Sequence, residues 1–151
     1  MMPSRLLRTF VLALVFSCVF LVHNAAADTR PRYELSVTDQ PDQRGFAITL
    51  HSTDKRPLCL PENLWPNKWG EVAFPWVTLE TTSWETTLKP RPGNFGLLGP
   101  EAVIRIEPGS TITAFIGYEQ FGTADWIATL PNRKLRIDKE SSEPVFCSKR
   151  K

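Results

Sequence analysis

The sequence predicts an all-β domain, a sandwich of about seven or eight short antiparallel strands with two long loops rich in Pro and Trp. Three observations carry this expectation. Beyond residue 27, twelve prolines and eight glycines interrupt the chain every few residues. Almost no window between them is long enough for an amphipathic helix, and their contents alternate with period two, as half-buried strands do. No repeat or low-complexity linker divides residues 28–151, which amount to one domain's worth of chain.

Each strand has its own signal. Tyr33, Leu35 and Val37 alternate with Glu34, Ser36 and Thr38, and Phe46, Ile48 and Leu50 alternate with Ala47, Thr49 and His51. A turn-rich stretch, Ser52 to Pro57, leads into Leu58-Cys59-Leu60. Val77 and Leu79 mark a short strand, and Trp84 to Leu88 a weaker one. Ala102, Ile104 and Ile106 share one face of the next, which ends at Glu107-Pro108-Gly109-Ser110. That tetrapeptide places Pro second and Gly third, as a type II turn requires. Thr111 to Tyr118 follows with Ile112, Ala114, Ile116 and Tyr118 on one face, and Leu135-Ile137 and Val145-Cys147 complete the set.

Leu60 to Phe74 and Lys89 to Pro100 do not read as strands. Loops of this length in a compact domain are usually functional or packed on themselves. The order of strand, S-T-D-K-R-P turn, L-C-L, apolar strand, E-P-G-S and long Thr/Ile strand resembles small immunoglobulin-like β-sandwich modules of secreted proteins. It is similar in layout to the proteinase-inhibitor sandwich domains of bacteria. The resemblance covers residues 44–118, implies an immunoglobulin-like sandwich, and transfers no site residue.

The first 27 residues read as a secretory signal peptide. Arg5 and Arg8 form a positive n-region, and Phe10 to Val22 is a run of thirteen residues that are all apolar except Ser17. His23-Asn24-Ala25-Ala26-Ala27 then offers small residues where a signal peptidase reads them. As a helix the run spans about 20 Å, against a hydrocarbon core of about 30 Å, so cleavage is expected in preference to a retained anchor. The expected cut follows Ala27, leaving a chain that starts at Asp28 without a stable membrane anchor. Cys18 is not read as a lipid acceptor, because Phe16 stands where a small residue is wanted.

Cleavage removes two of the 18 basic residues and none of the 16 acidic ones, so the formal net charge falls from +2 to 0. A neutral chain lacks the electrostatic footprint of a nucleic-acid or anionic-lipid binder. Cys59 and Cys147 are the cysteines that remain, in a compartment where disulfides persist. A bridge between them is expected, the alternative being two unpaired buried thiols. It would contribute up to about 4.6 kcal/mol in the chain-entropy model.

Readable catalytic chemistry is scarce. His51 is the one histidine beyond the signal, whereas a zinc site needs three or four converging ligands. No H-E-x-x-H, C-x-x-C, G-x-S-x-G or phosphate-binding glycine loop occurs. A non-enzymatic chain without metal or cofactor is therefore expected. The aromatic residues stand out instead: Trp65, Trp69 and Trp76 fall within twelve residues, and Phe95 lies in the second long loop. Indole faces held on loops stack on sugars or anchor protein partners. These four residues are the expected partner-binding set, with Trp65 and Trp69 on an exposed loop. The expected function is a secreted or periplasmic binding module of the cell envelope, gripping a protein as inhibitor or accessory factor. A carbohydrate-binding module is the alternative, and an unrecognised hydrolase the third reading.

Overall fold

The structure, a computed structural model, describes residues 30–73, 76–82, 87–95 and 102–148. The expected signal peptide lies outside these residues, as do Trp84 to Thr86 of the weaker expected strand. Eight strands run through the described residues: β1 (Tyr33–Gln40), β2 (Gly45–Ser52), β3 (Leu58–Pro61), β4 (Val77–Glu80), β5 (Val103–Ile106), β6 (Thr111–Gly117), β7 (Lys134–Ile137) and β8 (Val145–Phe146). They pair antiparallel in three sheets, ordered β1-β2-β6, β5-β3-β8 and β4-β7. The all-β expectation holds, with little helix.

The period-two pattern decides which face goes inward. Phe46, Ile48 and Leu50 on β2 are buried, whereas Ala47, Thr49 and His51 between them are only partly covered. Leu58 and Leu60, Val77 and Leu79, Ile106, Ile116 and Leu135 bring the other strands into the same core. Full burial of one such aliphatic side chain stabilises by about 1.5–3 kcal/mol before its lost entropy is counted. The Phe46 ring meets Tyr118 edge-on, with centroids 5.3 Å apart. Leu88, the described end of the weaker expected strand, exchanges two backbone hydrogen bonds with Leu79.

Two of the connections at which the chain changes sheet are tight turns. Between β2 and β3, the buried Asp54 carboxylate accepts the backbone N–H groups of Arg56 (3.0 Å) and Arg32 (3.3 Å). The Arg56 N–H is the main reason its pKa is lowered, and the neighbouring arginine charges add to the effect. Between β5 and β6, Gly109 takes φ +72° and the Ser110 N–H closes on the Glu107 carbonyl at 3.0 Å, in keeping with the expected type II turn. Cys59 on β3 and Cys147 just after β8 are disulfide-bonded, with Cα atoms 5.0 Å apart. The C-terminal segment is thereby pinned to the first third of the domain.

One element differs from expectation. Ala124–Thr129 forms a short helix, α1, where the sequence suggested no room for one. Its six residues bury Ile127 alone, too few turns for an amphipathic repeat to be legible. Its closure depends on Arg133, whose Nη1 donates to the carbonyls of Ala128 (2.6 Å) and Leu130 (2.8 Å). Those carbonyls belong to the end of the helix, where intrahelical partners run out.

Candidate binding surface

The segment after β3 separates the expected aromatic residues into two groups. Glu62–Leu64 forms a 3-10 turn, and Trp65 leaves it in an extended conformation. Its indole turns inward and is only 7% exposed. Trp76 enters β4 from the core side and is 4% exposed. The expectation of an exposed Trp65 is therefore corrected, and Trp76 is likewise a core residue. The reason is apolar area: with sheets this small, the two indoles supply cover that the strands alone do not.

Trp69 is the opposite case, 65% exposed. Asn67 builds the turn that holds it out. The Asn67 side-chain oxygen accepts the N–H groups of Trp69 (2.9 Å) and Glu71 (3.0 Å), and its amide donates to the Glu71 carboxylate at 2.8 Å. Its backbone N–H donates to the Glu71 carbonyl (3.0 Å), and its own carbonyl accepts from Gly70 (2.9 Å). Asparagine suits this place because its side chain mimics a backbone turn. Gly70 completes it at φ +72°, where a Cβ would come within 2.6 Å of the Phe115 carbonyl oxygen. The turn is thus seated on β6, and Lys68 lays its ammonium 4.4 Å from the Trp69 ring centre.

A depression opens on each side of Trp69. One, of about 390 Å³, is lined by Glu62, Pro66, Asn67, Lys68, Asn94, Phe95 and Ile104 together with Trp69. It brings together two of the four expected residues, Trp69 and the half-buried Phe95. The other, broader and about 820 Å³, lies between the loop and the sheet, with Gln40, Gln43, Thr113 and Phe115 among its walls. Nothing in the composition pointed to Gln40, Gln43 or Lys68. Pro66, Asn67 and Gly70 were the local signal for a turn, and of the two indoles expected on it the structure leaves Trp69 outside and takes Trp65 into the core.

A third concavity, of about 370 Å³, lies between β1 and β7. At one end, Arg133 places Nη2 3.1 Å and Nε 3.2 Å from the Asp39 carboxylate. The Tyr118 hydroxyl donates to the other oxygen of the same carboxylate. Burial, then the bond and charge of Asp39, push the Tyr118 pKa up to about 12. This group serves as a structural junction, with Asp39, Tyr118 and the helix end all held through one guanidinium.

His51 is half-buried, its Nδ1 2.9 Å from the Thr111 hydroxyl across the strand pair. Among the described residues no group of three His, Cys, Asp or Glu side chains is placed to hold a metal ion. Set against known proteins, the chain matches no family model, no curated protein and no solved structure.

Proposed function

We propose that this chain is a secreted or periplasmic, immunoglobulin-like β-sandwich that serves the cell envelope as a non-catalytic, protein-binding module. The observation that carries the reading is Trp69, an indole 65% exposed on a turn whose hydrogen bonds are made within five residues. Exposing so large an apolar face has no benefit for folding, whereas a preorganised aromatic anchor is what a binding hot spot needs. Phe95 and Pro66 extend the apolar contact beside it. The sandwich reading draws support from the way successive strands after β2 pass between sheets that share one core. Export draws support from the Arg5/Arg8, apolar and Ala25-Ala26-Ala27 series and from the disulfide.

The test starts with protein recovered from its host, expected to begin at Asp28 give or take two residues. A partner that co-purifies stoichiometrically is then titrated with Trp69→Ala. A loss of about 2 kcal/mol, roughly thirtyfold in affinity, is expected with the fold intact. Unchanged affinity would remove Trp69 from the interface and the reading with it.

A glycan partner is the second reading, favoured by one observation. Gln40, Gln43, Asn67 and Thr113 bring uncharged hydrogen-bonding side chains to the broader depression beside Trp69, whose walls also include Lys68 and Glu119. Neutral sugars combine a ring face for stacking with hydroxyls for such groups. An oligosaccharide that shields tryptophan fluorescence from a soluble quencher in the wild-type chain, and has no such effect on Trp69→Ala, would favour it.

A further inference from the structure

We propose that the unpaired edge of β7, where it borders the concavity against β1, is a second binding site, which takes an extended acidic segment of another protein by strand addition. It lies apart from the Trp69 surface and does not depend on the reading of that surface.

The backbone registers make the case first. Asp138 donates its N–H to the Trp76 carbonyl at 2.8 Å, in the same register as Val77↔Ile137 and Leu79↔Leu135. Hydrogen-bonded and non-hydrogen-bonded pairs alternate along an antiparallel ladder. The pairs at Ile137 and Leu135 are therefore of the non-bonded kind, and the N–H and C=O groups of these two residues point away from β4. Leu79 confirms the phase, since it spends its own backbone groups on Leu88 at the opposite side. The same argument applies to β1. Thr53 donates to the Arg32 carbonyl, so the backbone groups of Leu35 and Val37 point away from β2. Among the described residues β7 pairs only with β4, and β1 only with β2. Two unpaired strand edges thus border one concavity.

The side chains then specify the occupant. Leu35, Val37, Phe46, Leu135 and Ile137 make an apolar lining. Lys134, Arg136 and Lys139, all exposed, supply positive charge along the same concavity. Arg136 meets the Glu80 carboxylate at 3.2 Å, while Lys134 and Lys139 have no carboxylate partner among the described residues. The single acid in the lining, Asp39, is already held by Arg133. A strand laid along β7 would alternate, one set of side chains entering the apolar lining and the next facing Lys134 and Arg136. Opposite charges across a strand pair stabilise and like charges destabilise, so an acidic–apolar alternation fits. Lysines on an open edge also discourage pairing with the β7 of another copy.

The test uses the mature chain and a fluorescein-labelled heptapeptide alternating Asp and Val, with a Lys/Val heptapeptide as control. Anisotropy is expected to rise with the Asp/Val peptide only, and binding to weaken as salt is added. Lys134→Glu combined with Lys139→Glu should weaken it at least about tenfold, while Trp69→Ala leaves it unchanged. Melting curves check that the double variant folds, and Lys134→Gln with Lys139→Gln replaces it if it does not. Amide exchange at Leu135 and Ile137 should slow on addition of the Asp/Val peptide. Equal binding of both peptides, no binding at millimolar concentration, or protection appearing on β6 would overturn the proposal. So would a dimer that already protects these amides without peptide, since the occupant would then be a second copy.

Discussion

Two hydrogen-bonded centres of this molecule are built on opposite plans. The turn at Asn67 is closed by residues no more than four positions apart. The junction at Arg133 joins Asp39 and Tyr118, which lie 94 and 79 positions away from Arg133 and from Asp39 respectively. The first shapes a surface and holds one indole in water. The second ties β1, the end of β6 and the end of α1 to one another. A locally closed turn can be altered with little effect on the core, whereas each member of a long-range junction carries contacts from several elements. Trp65 and Trp69 show the same division within five residues, one indole in the core and one outside it.

The largest effect expected from this contrast is that of Trp65→Ala. Loss of a buried indole should cost about 3–5 kcal/mol, read as a lowered midpoint in urea unfolding. A change below 1 kcal/mol would place Trp65 with Trp69 and dissolve the distinction between them.

Tyr118→Phe probes the junction. Removing a buried hydroxyl that donates to a carboxylate should cost about 1.5–3 kcal/mol. The wild-type chain should also lose stability as pH rises from 10.0 toward about 12, because Tyr118 stays protonated when folded and ionises when unfolded. The unfolded state then binds fewer protons, so the contribution is complete below that window and fades through it. Tyr33, whose pKa burial also raises, contributes to the alkaline loss in both proteins. The difference between wild type and Tyr118→Phe isolates the junction, and identical alkaline profiles would show that Tyr118 titrates normally.

Asn67→Ala should be milder, at about 1–2 kcal/mol, since it frees two backbone N–H groups that water can reach in part. Its sharper signature is local, with faster amide exchange at Trp69 and Glu71 while the exchange of β2 is unchanged. Loss of protection throughout the sheets would mean that the turn is not an independent unit. The smallest effect belongs to Trp69→Ala, which should move thermal stability by less than about 0.5 kcal/mol. A large drop in melting temperature would return Trp69 to the core and leave no exposed anchor.

Much of the strand layout was legible because burial in a sheet repeats every second residue. Phe46-Ile48-Leu50 and Leu58-Leu60 declare their faces without reference to any other part of the chain. The Glu107 to Ser110 turn was legible for a similar reason, as its glycine must reach positive φ. α1 was not, because six residues hold fewer than two helical turns and its last carbonyls are satisfied by a side chain outside it. The disulfide was readable by elimination, but the strand pairing that brings β8 beside β3 was not.

For the tryptophans, the sequence by itself determined that residues 62–71 are not strand, because Pro66, Asn67 and Gly70 disfavour a ladder. Which indole would be buried was decided only in three dimensions. Trp65 and Trp69 share the same kind of local surroundings, and burial depends on what lies above each ring once distant strands have packed. For Trp65 that is the common core, and for Trp69 it is solvent. The seam between β1 and β7 has the same origin: both strands are written in the sequence, but their unpaired edges become neighbours only when separate sheets close around Phe46 and Tyr118.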